Sequence, residues 1–353
     1  MNYKETLFFV GKCLTITHEK HNKDGVENEI ISGNVDWDAV VKLSTAHYVF
    51  PALYCNLKRT DLLKHIPQDL AEYMEHITNL NRERNLQIIK QAQEINDILL
   101  TNNITPIFLK GTGNLLEGLY EDVGERMVGD IDFLVPNSDF SKAVISLKND
   151  GYKEKNIDFI DNTLSERHYP KITKHNRIAA VEIHYKMISD EKYFNYNHVK
   201  ENLKKNKDNT SVLSFTDQVL ITCYNKQIND KGQWYKTPSL RNTYDLYLLS
   251  LKTSVKDSLK NNKNFNYLNN FVASSSFLMN NPNSLKYHKT RDTSNFIKKQ
   301  LFFIKNLRIS RYNRKIWGIV FLYKHRLNLL TLFIFNKKIR KYVISRLKSK
   351  LNL

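Results

Sequence analysis

The segment Gly129-Asp130-Ile131-Asp132-Phe133-Leu134-Val135 constrains this chain more than any other. It alternates like a half-buried strand. Side chains on a strand repeat every second residue, so Ile131, Phe133 and Val135 share one face and Asp130 and Asp132 share the other. Two neighbouring carboxylates repel, and burying them without partners is costly. Such a pair on an apolar strand calls for a cation, and hard divalent metals that prefer oxygen, Mg²⁺ first and Mn²⁺ second, are the natural partners. Upstream, Ile107-Phe108-Leu109 reads as a short buried strand, Lys110-Gly111-Thr112-Gly113 as a turn, and Asn114 to Tyr120 as a helix. Strand, glycine turn and helix start is the arrangement that aims backbone N–H groups at phosphate. Together the two halves suggest a site for a metal-bound nucleoside triphosphate.

These residues resemble the nucleotidyltransferase superfamily, whose members share a Gly-Gly or Gly-Ser turn, a helix and a strand bearing Asp-x-Asp. The resemblance is narrower to the uncharacterised nucleotidyltransferase family with the pattern LKG…LY…R..GDIDLLV. It reads here as Leu109-Lys110-Gly111, Leu119-Tyr120, Arg126 and Gly129 to Val135, and it extends from about Trp37 to Leu249. Lys-Gly stands where the wider superfamily has Gly-Gly or Gly-Ser, and eighteen residues separate Gly111 from Asp130. The resemblance implies an α+β fold: a nucleotidyltransferase-like mixed sheet flanked by N-terminal and C-terminal helical regions. It also implies an acid-x-His pair on a neighbouring strand. Arg177 to Met187 reads as that strand, with Ala180, Glu182 and His184 on one face. Glu182 is the candidate third acid, although the family more often has Asp there. His184 beside it, and His168 in Arg167-His168-Tyr169-Pro170, are candidates for supporting or substrate-facing roles.

The remaining chain divides by pattern. Residues 1–103 read as a helical region, with Leu86, Ile89, Ala92, Ile95 and Leu99 as the buried stripe of a helix within Pro67 to Leu100. Residues 104–200 form the expected catalytic core, including a polar stretch at 156–163. Residues 201–252 read as helices packed on the core, where Ser214 and Asp217 resemble a capping box and Arg241 and Asp245 a helix-surface pair. Residues 253–296, rich in Asn, Ser and Lys, read as a linker or loops, and 297–353 as a basic amphipathic helical tail.

The net charge of +18 belongs to that tail. From Lys286 to Leu353 there are 19 Lys/Arg and one acid, Asp292, whereas the first 285 residues hold 35 of each sign. The excess is therefore evidence about a partner of the C-terminal end, RNA or an anionic membrane surface. Three scattered cysteines without CxxC spacing argue against disulfides or a zinc site and fit a reducing compartment. The opening apolar run is too short for a secretory signal. No stretch of about 20 uninterrupted apolar residues occurs. A cytoplasmic chain without a spanning helix is expected, with membrane-peripheral work as the variant.

The expected chemistry is two-metal nucleotidyl transfer. Asp130 and Asp132 would hold one Mg²⁺ (or Mn²⁺) against the triphosphate. Asp130, Asp132 and Glu182 would hold a second, roughly 3.5–4 Å away. Gly111 and Thr112 would present donors to the phosphates, while Lys110 and Arg126 offset charge on the leaving pyrophosphate. The acceptor is unspecified, and the donor is an NTP, ATP first. A lone Asp-x-Asp is weak evidence, because many strands end in two solvated acids; the Lys-Gly turn before it and Glu-x-His after it favour a site. The competing expectations are a non-catalytic protein of the same fold that binds nucleotide or nucleic acid, and a membrane-peripheral protein of envelope glycoconjugate synthesis.

Overall fold

The computed structural model describes residues 1–154, 167–188, 194–260, 262–337, 340, 341 and 344. The polar stretch 156–163 and most of the tail beyond 337 lie outside them. The chain forms two compact units, Met1–Lys305 and Asn306–Leu353.

The first unit is built on a mixed sheet. Its strands in chain order are β1 (Ile107–Phe108), β2 (Asp130–Leu134), β3 (Lys153–Glu154), β4 (Ile172–Thr173), β5 (Ala180–His184), β6 (Lys204–Lys205) and β7 (Ser211–Val212). They lie side by side in the order β3-β4-β5-β2-β1-β7-β6. The two acid-bearing strands, β2 and β5, are adjacent and parallel, while β1 runs antiparallel to β2 and parallel to β7. The sheet centre is fully apolar on one face. Ile131, Phe133, Val181 and Ile183 are buried, and Phe133 meets Phe108 of β1 with ring centroids 5.9 Å apart. This is the mixed α+β architecture expected from the sequence.

Helices cover the sheet. The longest, Gln68–Thr101, is a single helix of 34 residues that ends where Asn103 turns left-handed. Its buried stripe differs from the expected one. Leu86 is exposed, and the line that faces the core runs through Asn81, Asn85, Ile88, Ala92, Ile95 and Leu99. The two asparagines are buried because the loop beneath needs donors. Asn81 Nδ2 donates to the carbonyls of Gly124 and Arg126 at 2.7 and 3.1 Å, and Asn85 Nδ2 donates to those of Val123 and Arg126 at 2.6 and 2.7 Å. An apolar-periodicity reading cannot see a stripe that begins with two amides.

Residues 253–296, whose composition reads as a linker or loops, include a long buried helix. Phe265–Leu278 is a helix whose Asn269, Asn270, Ser274, Ser275 and Ser276 are all buried. Four of these polar side chains have internal partners: Asn269 with the His288 backbone, Asn270 with Asp292, Ser274 with Gln300 and Ser275 with Thr243. A helix that buries hydrogen-bonded Asn and Ser looks like a solvated loop by composition. The following helix, Arg291–Lys305, completes the first unit.

The second unit is dominated by a 29-residue helix, Leu307–Phe335. The absence of one unbroken apolar run had pointed away from a spanning helix. By length and composition alone, however, this helix is long and apolar enough to cross a membrane.

Candidate active site

The strand register puts the acids together. Asp132 of β2 stands directly opposite Glu182 of the parallel strand β5, Asp130 stands opposite Ala180, and Leu134 opposite His184. Asp130 and Asp132 are two apart and face the same side, as do Glu182 and His184. The result is a cluster beside a cleft of about 310 Å³, whose lining includes Lys110, Gly111, Gly129, Asp130, Asp132, Arg167 and Glu182.

Within the cluster, His184 Nε2 donates to Asp132 Oδ1 at 2.9 Å and lies 3.4 Å from Glu182 Oε2. Asp132, Glu182 and His184 each offer a ligand atom, and these atoms all lie within 4.8 Å of one another. Asp130 stands at the rim, with its side chain about a third exposed. Two lysines balance the acids. Lys110 Nζ is 2.6 Å from Asp132 Oδ1 and 3.8 Å from Glu182 Oε2. Lys171 Nζ is 2.6 Å from Asp130 Oδ2 and 3.3 Å from Glu182 Oε1. Burial alone would raise the pKa of Asp132, but the Lys110 ammonium and the His184 imidazole hold it well below the ordinary carboxylate range. Glu182 is likewise lowered: burial raises it, and the His184 hydrogen bond and Lys110 outweigh that despite repulsion from Asp132. The acids are thus held ionised, which is the state in which carboxylates bind a hard cation.

Lys171 was not singled out from the sequence. It sits one residue beyond the Ile172–Val181 pair of antiparallel strands β4 and β5, and that pairing carries it to Glu182. Only strand register, which sequence does not give, reveals it. His168 lies behind His184, with ring centroids 4.9 Å apart. Its Nδ1 is 2.9 Å from the Tyr169 carbonyl, and burial lowers its pKa. It therefore backs His184, and it is not among the residues that line the cleft.

The glycine turn differs from expectation. Lys110 to Leu116 is already helix, and Lys110 opens it at a left-handed φ of 54°. That backbone turns the lysine side chain back over the acids. Thr112 does not face the cleft: it is fully buried and its hydroxyl donates to the Asp130 carbonyl at 2.9 Å. It ties the helix to β2, and its hydroxyl is committed there. Gly113 is required by packing, since a Cβ there would stand 2.6 Å from the Phe108 carbonyl oxygen.

Arg126 lines the cleft but is committed elsewhere. It is buried, and its Nε donates to both oxygens of Asp245 at 2.9 and 3.1 Å. Its Nη1 donates to the Met127 carbonyl at 2.7 Å. Asp245 also accepts from Tyr120 Oη at 2.7 Å. The expected surface pair of Arg241 with Asp245 is therefore corrected: Asp245 is buried, and its partner is Arg126.

The donor set, carboxylates with one imidazole, suits a divalent metal such as Mg²⁺ or Mn²⁺. Such an ion would be held by Asp132 and Glu182, with His184 and Asp130 flanking them. Comparison with curated proteins and with solved structures gives no match. A family profile described as uncharacterised nucleotidyltransferase matches residues 33–263, which include the whole sheet, the acids and the cleft. With well over half of its length matched, and with its two acid strands side by side inside that span, the chain belongs to the uncharacterised nucleotidyltransferase family.

Proposed function

We propose that the chain moves a nucleoside monophosphate, AMP from ATP in the first instance, onto a hydroxyl acceptor and releases pyrophosphate. The observation that carries this reading is Asp132 facing Glu182 across parallel strands, with Asp130 on the same side of the sheet, inside a cleft of the matched family. One divalent cation bound by these carboxylates, or a pair, would neutralise the triphosphate and make the acceptor hydroxyl easier to deprotonate. The chain's own residues do the rest. Lys110 and Lys171 neutralise the acids while no nucleotide is present and, once released, can turn to the phosphates. Glu182 takes the acceptor proton. The acceptor oxygen bonds to the α-phosphorus as the α–β bridging bond breaks, and pyrophosphate carries away the electron pair. Positioning and charge compensation dominate such catalysis.

Incubation with α-labelled ATP, GTP, CTP and UTP, Mg²⁺ or Mn²⁺, and a cell extract tests the reading. Transfer of label that disappears in the Asp130→Ala/Asp132→Ala protein is expected. No transfer with any nucleotide, together with no metal–nucleotide binding, would contradict it.

We further propose that the C-terminal helix works at an anionic membrane surface rather than on RNA, which makes the enzyme membrane-peripheral. In Leu307–Phe335, exposed Ile309, Tyr312, Ile316, Ile319, Tyr323 and Leu327 recur at spacings of three and four and form an apolar stripe. No Asp or Glu follows Asp292, and 13 Lys/Arg lie between 306 and 353. Phosphate backbones need the charge but not the stripe. A bilayer surface with acidic headgroups uses both. Lys324 and Arg326 at mid-helix disfavour spanning, at about 2.5–3.5 kcal/mol per charge at the bilayer centre. The full chain should float with phosphatidylserine vesicles, keep part of that binding in high salt, and lose it in Ile316→Glu/Leu327→Glu. Retention on RNA without vesicle binding would contradict this.

A further inference from the structure

The cleft is not built by the acids alone. Its lining also includes Thr222, Asn225, Asn229, Asp230, Arg241 and Asn242, from helical segments that follow the sheet in the chain. Asn225–Asn229 is one turn of π-helix between the helices Phe215–Tyr224 and Gly232–Tyr235. Such turns are rare and concentrate at functional sites. Here both ends of the turn, Asn225 and Asn229, line the cleft, and Asn229 Nδ2 donates to Asn225 Oδ1 at 2.6 Å.

Arg241 stands opposite in character. Its guanidinium lies over the ring of Tyr48, 5.0 Å from the centroid, and is half-buried. Asp245, one helical turn along, is taken by Arg126. Among the described residues no carboxylate lies within ion-pairing reach of Arg241; Asp245 and Asp230 attract it only from farther away. Burial and the neighbouring Arg126 push its pKa down. A half-desolvated cation without a counter-ion is costly, and the cost is relieved when an anion arrives. Arginine also matches carboxylate and phosphate in a two-point geometry.

The other side chains from these segments are amides, a hydroxyl and one carboxylate. Among the described residues that line the cleft none is aromatic, and Met127 and Val128 are its apolar side chains. Amides and carboxylates are hydroxyl partners. We infer that this part of the cleft is the acceptor subsite, and that its ligand is an anionic polyhydroxy compound, a phosphorylated or carboxylated sugar or polyol. Its anionic group pairs with Arg241, and its hydroxyls bond to Asn225, Asn229 and Asn242. The inference rests on the nucleotidyl-transfer reading, since it assigns the acid cluster to the nucleotide. The same anion chemistry could come from the triphosphate itself, and the experiment separates the two sources.

Calorimetry on the full chain, with hexose 6-phosphates, hexuronic acids, a neutral hexose and Mn²⁺–ATP as separate probes, tests it. At least one anionic sugar should bind the wild type more tightly than the neutral hexose. Arg241→Gln should weaken that binding roughly tenfold or more and leave Mn²⁺–ATP binding nearly unchanged, and Arg241→Lys should keep part of it. Asp132→Asn should do the reverse. A thermal melt of each variant reports folding. Loss of Mn²⁺–ATP binding in Arg241→Gln would assign Arg241 to the triphosphate and overturn the inference, as would a wild type that binds none of the anionic sugars. Sugar binding that depends on Arg241, in a protein that binds no nucleotide, would overturn the acceptor role and the nucleotidyl-transfer reading while leaving the anion site.

Discussion

Arg126 and Asp245 are 119 residues apart in sequence and form a buried, two-oxygen ion pair that joins the loop before β2 to the helix Leu240–Ser250. The pair fixes the cleft wall and leaves Arg241, on that same helix, without its helical neighbour as a partner. Removing one member of a buried pair strands the other, at a cost of about 3–5 kcal/mol. Asp245→Asn keeps an acceptor for Tyr120 but removes the charge, so it isolates that effect. Urea unfolding should show a loss of about 3 kcal/mol for Asp245→Asn, and the double variant Arg126→Met/Asp245→Asn should lose less than the two singles together. A change within about 0.5 kcal/mol for Asp245→Asn would mean that the pair does not hold the wall.

The helix Lys110–Leu116 sits so close to β1 that Gly113 has no room for a methyl group. The obstruction is the Phe108 carbonyl, which is backbone and cannot rotate away. Gly113→Ala should destabilise the protein by about 1–3 kcal/mol and displace Lys110 from the acids. At Gly129 an added Cβ meets nothing within 4 Å, so Gly129→Ala should be nearly neutral in the same unfolding experiment. Equal effects at the two positions would contradict the packing described.

His47 links acidity to the cleft. Its Nδ1 accepts the Leu240 N–H at 3.3 Å, at the start of the helix that carries Arg241, Asn242 and Asp245. Burial, aided by Lys226, lowers its pKa to about 4. A histidine whose folded pKa is depressed must stay neutral to keep the native state. Its contribution is complete above the unfolded value of about 6.5 and is lost as pH falls from there towards 4. Between those limits it amounts to a loss on the order of 2–3 kcal/mol. Melting temperature measured from pH 7.5 to 4.5 should fall less steeply in His47→Gln than in the wild type. Parallel curves would rule His47 out as the source.

The acids and their strands were legible in the sequence because alternation fixes which side chains share a face, whatever the rest of the chain does. The family pattern carried the fold class for the same reason. What stayed hidden depends on distant contacts. Lys171 reaches Glu182 through strand pairing, Thr112 is consumed by the Asp130 carbonyl, and Asp245 prefers Arg126 to Arg241. None of these follows from local spacing. The helix Phe265–Leu278 was hidden differently, since its buried Asn and Ser residues have the composition of a loop, and the partners of Ser274 and Ser275 lie 26 and 32 residues away along the chain.

The central claim is that Asp132 and Glu182 hold a divalent cation against a nucleoside triphosphate. Electron paramagnetic resonance of Mn²⁺ titrated into the full chain, with and without ATP, measures this most directly. The account predicts a bound Mn²⁺ signal that tightens with ATP and is abolished in both Asp132→Asn and Glu182→Gln, with each variant still folded by circular dichroism. Mn²⁺ binding that survives both substitutions, or a wild type that binds no Mn²⁺ even with ATP present, would contradict it.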